Sequence, residues 1–157
     1  VPDPGALQAL SPSRLLDTGS GLGAPTGPVA GKGVVALQVA GQGGVPATGV
    51  SAVVLNVTVT GAAGSGYITA YGDGTTRPTA SNLNFTAGQT VPNLVIAPLG
   101  ANGIVDLYNG SGAPTDLIAD VSGYFLAGSA TVTPTIDALW TSTEPLPSDN
   151  QTPAGDM

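Results

Sequence analysis

The side chains able to do chemistry in this sequence are its carboxylates. Ten Asp and Glu stand against Arg14, Lys32 and Arg77, and there is no histidine and no cysteine. Ser-His-Asp and Cys-His nucleophiles are closed, as are thiolate metal sites and disulfides. Lys32 lies in Gly31-Lys32-Gly33 with no serine three residues before it, so a Ser-x-x-Lys nucleophile is closed too. Two kinds of carboxylate chemistry are left. Leu15-Leu16-Asp17-Thr18-Gly19-Ser20 puts an aspartate on a tight glycine turn. Such a group catalyses proton transfer when a second carboxylate lies close enough to share its proton. Asp106, Asp116 and Asp120 would serve a two-carboxylate glycoside hydrolysis. Such sites sit in aromatic-lined clefts, and this chain has two Phe, four Tyr and one Trp.

Asp17-Thr18-Gly19 resembles the active-site triplet of aspartic proteases. One copy per chain would require a homodimer. The later segment of that family, an apolar pair running into Gly and a charged residue, is poorly matched by Val95-Ile96-Ala97-Pro98. The plainer reading is that Asp17 caps the turn into the glycine-rich loop that follows. Calcium needs only oxygen ligands, and Asp73, Asp106, Asp116 and Asp120 lie near turns rich in Asn. No EF-hand or other fixed spacing accompanies them. No cofactor is expected, and calcium is the one left open. For a ligand contacted without catalysis the candidates are Tyr67, Tyr71, Tyr108 and Asn109, at strand ends.

The elements that must position these groups follow from composition. Charged residues are only 8% of the chain, against 24 glycines and 14 prolines among 157 residues. A polar surface built from Thr, Ser, Asn and backbone amides suits sheets and turns rather than helices. The net charge of −7 leaves no basic stripe for nucleic acid and nothing to hold an anionic membrane. No apolar run reaches the roughly 18 residues of a membrane span, and no charged-then-apolar stretch is read at the start, so an exported protein is expected here in a mature or excised form.

Residues 1–11 read as an extended lead-in, with Pro2, Pro4 and Pro12 opposing regular pairing. Short apolar runs follow at 14–18, 34–40, 52–60, 67–71, 80–85, 91–98, 104–108 and 117–125, divided by turn signals including Asp73-Gly74, Asn102-Gly103 and Asn109-Gly110. Their spacing predicts an all-β antiparallel β-sandwich over residues 12–126, jelly-roll or immunoglobulin-like. Four Asn-x-Ser/Thr sequons occur, at Asn56, Asn84, Asn109 and Asn150. Asn56 and Asn84 fall inside strands and are expected to be buried and hydrogen-bonded rather than glycosylated.

Residues 127–157 form an extended Thr/Ser/Pro-rich tail with four acids and no base. Its anchors are Ile136, Leu139 and Trp140, and residues 130–135 could add a strand to a sheet edge, on its own domain or on a neighbour. The tail is expected to dock on a neighbour.

Arg14-Leu-Leu-Asp-Thr18, Val54–Thr60 (VLNVTVT), Gly66-Tyr67-Ile-Thr, Arg77-Pro-Thr-Ala-Ser-Asn-Leu-Asn84, Val105–Asn109 (VDLYN) and Leu117–Phe125 (LIADVSGYF) together resemble an accessory module. It recurs in secreted and cell-surface proteins of actinobacteria and other bacteria, often beside wall hydrolases or peptidases. The resemblance covers residues 12–126 and implies an extracellular, secreted or cell-surface, non-catalytic role. One residue departs from it, Gly19 standing where that family usually has Arg. The function expected is a structural or self-assembly module of a surface fibre, layer or virion, pairing with its own copies or with other surface subunits. The alternative is a carbohydrate-binding module for cell-wall glycan, and adhesion fits either.

Overall fold

The computed structural model describes residues 3–128. Eight strands run β1 (Leu7–Asp17), β2 (Val34–Gln38), β3 (Val50–Thr60), β4 (Gly66–Gly72), β5 (Leu83–Phe85), β6 (Val91–Pro98), β7 (Ile104–Asn109) and β8 (Asp116–Leu126). They form two four-stranded antiparallel sheets, β1-β8-β3-β6 and β2-β7-β4-β5. This is an all-β sandwich. Between the jelly-roll and immunoglobulin-like options, these strand orders are those of an eight-stranded jelly roll.

Strand β3 shows why the chain folds this way. Val53, Leu55, Val57 and Val59 are buried and alternate with half-buried Val54, Asn56 and Thr58, so one face enters the core and the other covers it. Leu117, Ala119 and Val121 of β8 and Leu37, Ile68, Val105 and Leu107 of the second sheet complete one continuous core. Strand β7 departs from simple alternation. Asp106 and Tyr108, on its outward face, are buried as well as Val105 and Leu107.

The extended lead-in ends earlier than expected. Residues 7–11 belong to β1 and pair with β8, Leu7 opposite Phe125 and Ala9 opposite Gly123. Pro12 lies within a register shift between Ala9 and Ser13, on an edge strand, where its missing N–H need not break the ladder.

The strand asparagines also differ from expectation. Asn56 is half-buried and Asn84 exposed, and among the described residues neither side chain bonds to protein. Both have the outward parity, between inward Leu55 and Val57 and between inward Leu83 and Phe85. The bonded asparagines are others. Asn82 Oδ1 accepts the Ala70 N–H at 2.8 Å, and Asn93 Nδ2 donates to the Asn82 carbonyl.

Asn102-Gly103 is a true left-handed pair, at φ 58° and 72°. Asn109-Gly110 is not. Asn109 ends β7 with its side chain wholly interior, donating to the Val29, Ala30 and Ala113 carbonyls at 3.1, 3.2 and 2.9 Å. The tail anchors Ile136, Leu139 and Trp140, and the sequon at Asn150, lie outside the described residues.

Candidate functional site

Register places the aromatic candidates together. Tyr71 of β4 sits opposite Asp106 of β7, and Thr69 opposite Tyr108, so these four share the outer face of the second sheet with Tyr67. The Tyr67 and Tyr108 rings are 6.2 Å apart and tilted by 58°. Tyr67 lies across the backbone of Gly110, where any Cβ would collide with the ring. Glycine is needed there for room, not for conformation.

Residues 73–82, joining β4 to β5, fold back over this face. The Thr69 hydroxyl donates to the Ala80 carbonyl at 2.8 Å, and the Asn82 N–H to the Ile68 carbonyl at 2.8 Å. The Arg77 guanidinium lies 3.7 Å above the Tyr108 ring centroid, a cation–π contact. Tyr108 is thereby covered, while Tyr67 and Tyr71 stay half-exposed.

Asp106 is the unusual group. It is 8% exposed, and its Oδ1 has no hydrogen-bond partner. Burial raises its pKa above the ordinary carboxylate value, with Asp73 within hydrogen-bonding reach adding to the rise. The sign follows from linkage. A raised carboxyl value means the folded state binds the proton more tightly than the unfolded one. The resulting stability penalty is absent at acid pH and complete once pH has passed the folded value. Burial likewise raises the Tyr71 phenol above its usual value, helped by the Asp106 charge, while Arg77 opposes the shift.

The other candidates are dispersed. Asn109 is fully buried and cannot touch an external ligand without unfolding the end of β7. Asp116 Oδ1 accepts the buried Thr18 hydroxyl at 2.7 Å, and Asp120 takes Arg14 Nε at 2.9 Å, both in the first sheet. Of the four acids considered for calcium, only Asp73 and Asp106 meet. Among the described residues no group of three or more acidic, His or Cys side chains could hold a metal. Asp17 caps its turn. Its Oδ1 accepts the Gly19 N–H at 3.0 Å, and its carbonyl accepts from Ser20, Gly21 and Leu22.

Two surface concavities lie elsewhere. One, of about 310 Å³, is bordered by Arg14, Leu22, Gln38 and Gln42. The other, of about 300 Å³, is bordered by Pro25, Pro28 and Val34. The first has as its charged group Arg14, already tied to Asp120, and the second has none. The tyrosine face is an open surface rather than a cleft. Sequence reasoning missed Arg77 and the pairing of Asp73 with Asp106. The alternation in Val105–Asn109 was the available signal, since it puts Asp106 and Tyr108 on one side. No family model, curated protein or solved structure matches the chain.

Proposed function

We propose that this chain is a non-catalytic extracellular recognition module that binds cell-wall glycan through the outer face of its second sheet. The observation carrying this reading is the convergence of half-exposed Tyr67 and Tyr71 with exposed Arg77 on one sheet face, over the covered ring of Tyr108 and the buried Asp106. Sugar rings offer C–H faces to aromatic side chains and hydroxyls to charged ones, and an open sheet face suits a polymer better than a closed pocket. The turn-capping role of Asp17 and the separation of Asp116 and Asp120 from Asp106 favour binding over hydrolysis. The extracellular setting rests on the resemblance of residues 12–126.

Titration with soluble peptidoglycan fragments, followed by calorimetry, tests it. Tyr67→Ala and Tyr71→Ala should each weaken binding up to about tenfold, since a ring contact is worth roughly 0.5–1.5 kcal/mol. Failure of the wild type to bind any fragment, or unchanged affinity in both variants, defeats the reading.

A second reading, assembly with further copies of the chain, is favoured by the opposite face. Leu94 and Ile96 on edge strand β6 are 61% and 56% exposed, flanked by exposed Pro92 and Pro98. Val54 lies opposite Ile96, Ala52 beside Phe125, and Phe125 beside Leu7, so an uncharged apolar band crosses the first sheet. Bands of this kind mark interaction surfaces. Ile96→Asp should reduce the mass measured by sedimentation to that of one chain. A wild type already monomeric at every concentration removes this second reading.

A further inference from the structure

The open edge of β6 differs from the other three sheet edges. Strand β5 has three residues and β2 five, while β1 carries Pro12, Arg14, Asp17 and two register shifts. Short, shifted or charged edges resist pairing with another chain. Strand β6 pairs with β3 over its whole length without a shift. Its outer face holds Leu94 and Ile96, the two most exposed large hydrophobics among the described residues.

The ladder fixes which backbone groups of β6 lack a partner. The Leu99 N–H donates to the Ser51 carbonyl at 3.0 Å, so Ser51 and Leu99 are a hydrogen-bonded pair. In an antiparallel ladder such pairs alternate with non-bonded ones. Val91, Asn93, Val95 and Ala97 therefore bond toward β3, and Pro92, Leu94, Ile96 and Pro98 turn their backbone to the open side. Proline has no N–H, so the edge donates only at Leu94 and Ile96. Among the described residues no other strand or loop backbone takes up these two donors.

Charge and symmetry select the occupant. The chain carries −7, so two copies repel unless they meet where neither is charged. Residues 78–105 contain no charged side chain, and neither does β3 behind them. A two-fold contact also needs a patch complementary to itself. Strand β6 meets that need. Turned antiparallel against a second β6 with Leu94 opposite Ile96, it sets Pro92 opposite Pro98. Each missing N–H then faces another missing N–H, and Leu94 and Ile96 exchange bonds both ways. A slip of two residues sets Leu94 or Ile96 against a proline and replaces a two-way exchange with a single bond.

We propose that two copies of this chain join β6 to β6 in this register, fusing their first sheets into one and stopping at a dimer. This rests on the second reading above, assembly through the first sheet, and adds the partner strand, the register and the end point. Each copy has one β6 and the pairing uses it up, so the contact closes instead of propagating. Leu94 and Ile96 meet across the seam and carry the apolar band from one copy into the other.

The chain has no cysteine, so introduced ones report the seam without competition. Leu94→Cys and Ile96→Cys, both at exposed positions, are made in two isotopic masses, mixed and oxidised under native conditions. Opposed residues in such a ladder lie about 5.5 Å apart at Cα, within disulfide reach, and diagonal ones about 7–8 Å, beyond it. The dimer joining one variant to the other should exceed either like dimer severalfold by mass spectrometry. In the wild type, exchange of the Leu94 and Ile96 amides should slow as concentration rises, with the sedimenting mass reaching two chains. The Val95 amide, already bonded to β3, should not change. Like dimers in excess mean another register, and a two-chain mass with fast Leu94 and Ile96 amides means another contact. Either overturns the β6 seam while assembly itself stands. A single-chain mass at every concentration removes both. Slow Leu94 and Ile96 amides at every dilution give the edge to the chain's own residues 129–157, and that too overturns the seam.

Discussion

Asn109→Asp should destabilise the protein by about 3–5 kcal/mol at neutral pH, enough to unfold much of it at physiological temperature. The two side chains have nearly the same shape, so packing hardly enters. What changes is the sign of the hydrogen bond. Asn109 Nδ2 donates to the carbonyls of Val29, Ala30 and Ala113, while its Oδ1 accepts the N–H and hydroxyl of Ser111. A carboxylate would keep the second set and turn an oxygen toward the three carbonyls. The site is fully buried, so no water can intervene. A pH series sharpens the expectation. The introduced acid would be protonated preferentially in the folded state, so the loss should shrink as pH falls through the carboxylate range. Chemical denaturation near pH 7 and near pH 4 measures both values. An equal loss at the two pH values would show that charge is not the cause, and no loss at all would show that the bonds are dispensable.

Gly100→Ala is the second large effect, and it couples fold to site. A Cβ on Gly100 would fall on the Asp73 backbone, closer to its N and O than unbonded atoms approach. Neither chain can yield easily. Gly100 N–H donates to the Ile104 carbonyl at 3.0 Å, the same oxygen that takes the Asp73 N–H. The cost should be about 1–3 kcal/mol, the range for forcing one extra carbon into a packed site. Moving Asp73 would also weaken its share in raising the Asp106 carboxyl, of which burial is the larger cause. Gly112→Ala is the control, because nothing lies within 4 Å of its Cβ and its φ is not positive. Thermal melts of the two variants should differ by several degrees. Equal melting would mean that the β4–β7 junction tolerates the methyl group.

Much of the architecture was legible before any coordinates. Alternation in Val53–Val59 and in Leu117–Val121 gave strands with one buried face, because the side-chain period of a strand is two regardless of its partners. Glycine and asparagine pairs gave Asp73-Gly74 and Asn102-Gly103 as turns, because left-handed backbone is cheap for few residues. The absence of His and Cys closed whole classes of chemistry without reference to shape.

Other features depended on which strands became neighbours. Residues 7–11 are locally poor strand formers, and they pair because β8 lies beside them and a register shift absorbs Pro12. Asn109 and Asn84 carry the same sequon pattern, yet one is interior and the other exposed, since burial is set by what the ends of the sheets pack against. Asp73, Arg77, Asp106 and Tyr108 are spread over 36 positions and meet only because β4 pairs with β7 and the following loop folds back across both. Local sequence sets the alternation of each strand and the conformation of each turn, since those depend on neighbours a few residues away. The buried Asp106 Oδ1 without a hydrogen-bond partner and the cation above Tyr108 come from contacts between distant segments, and those the tertiary structure alone decided.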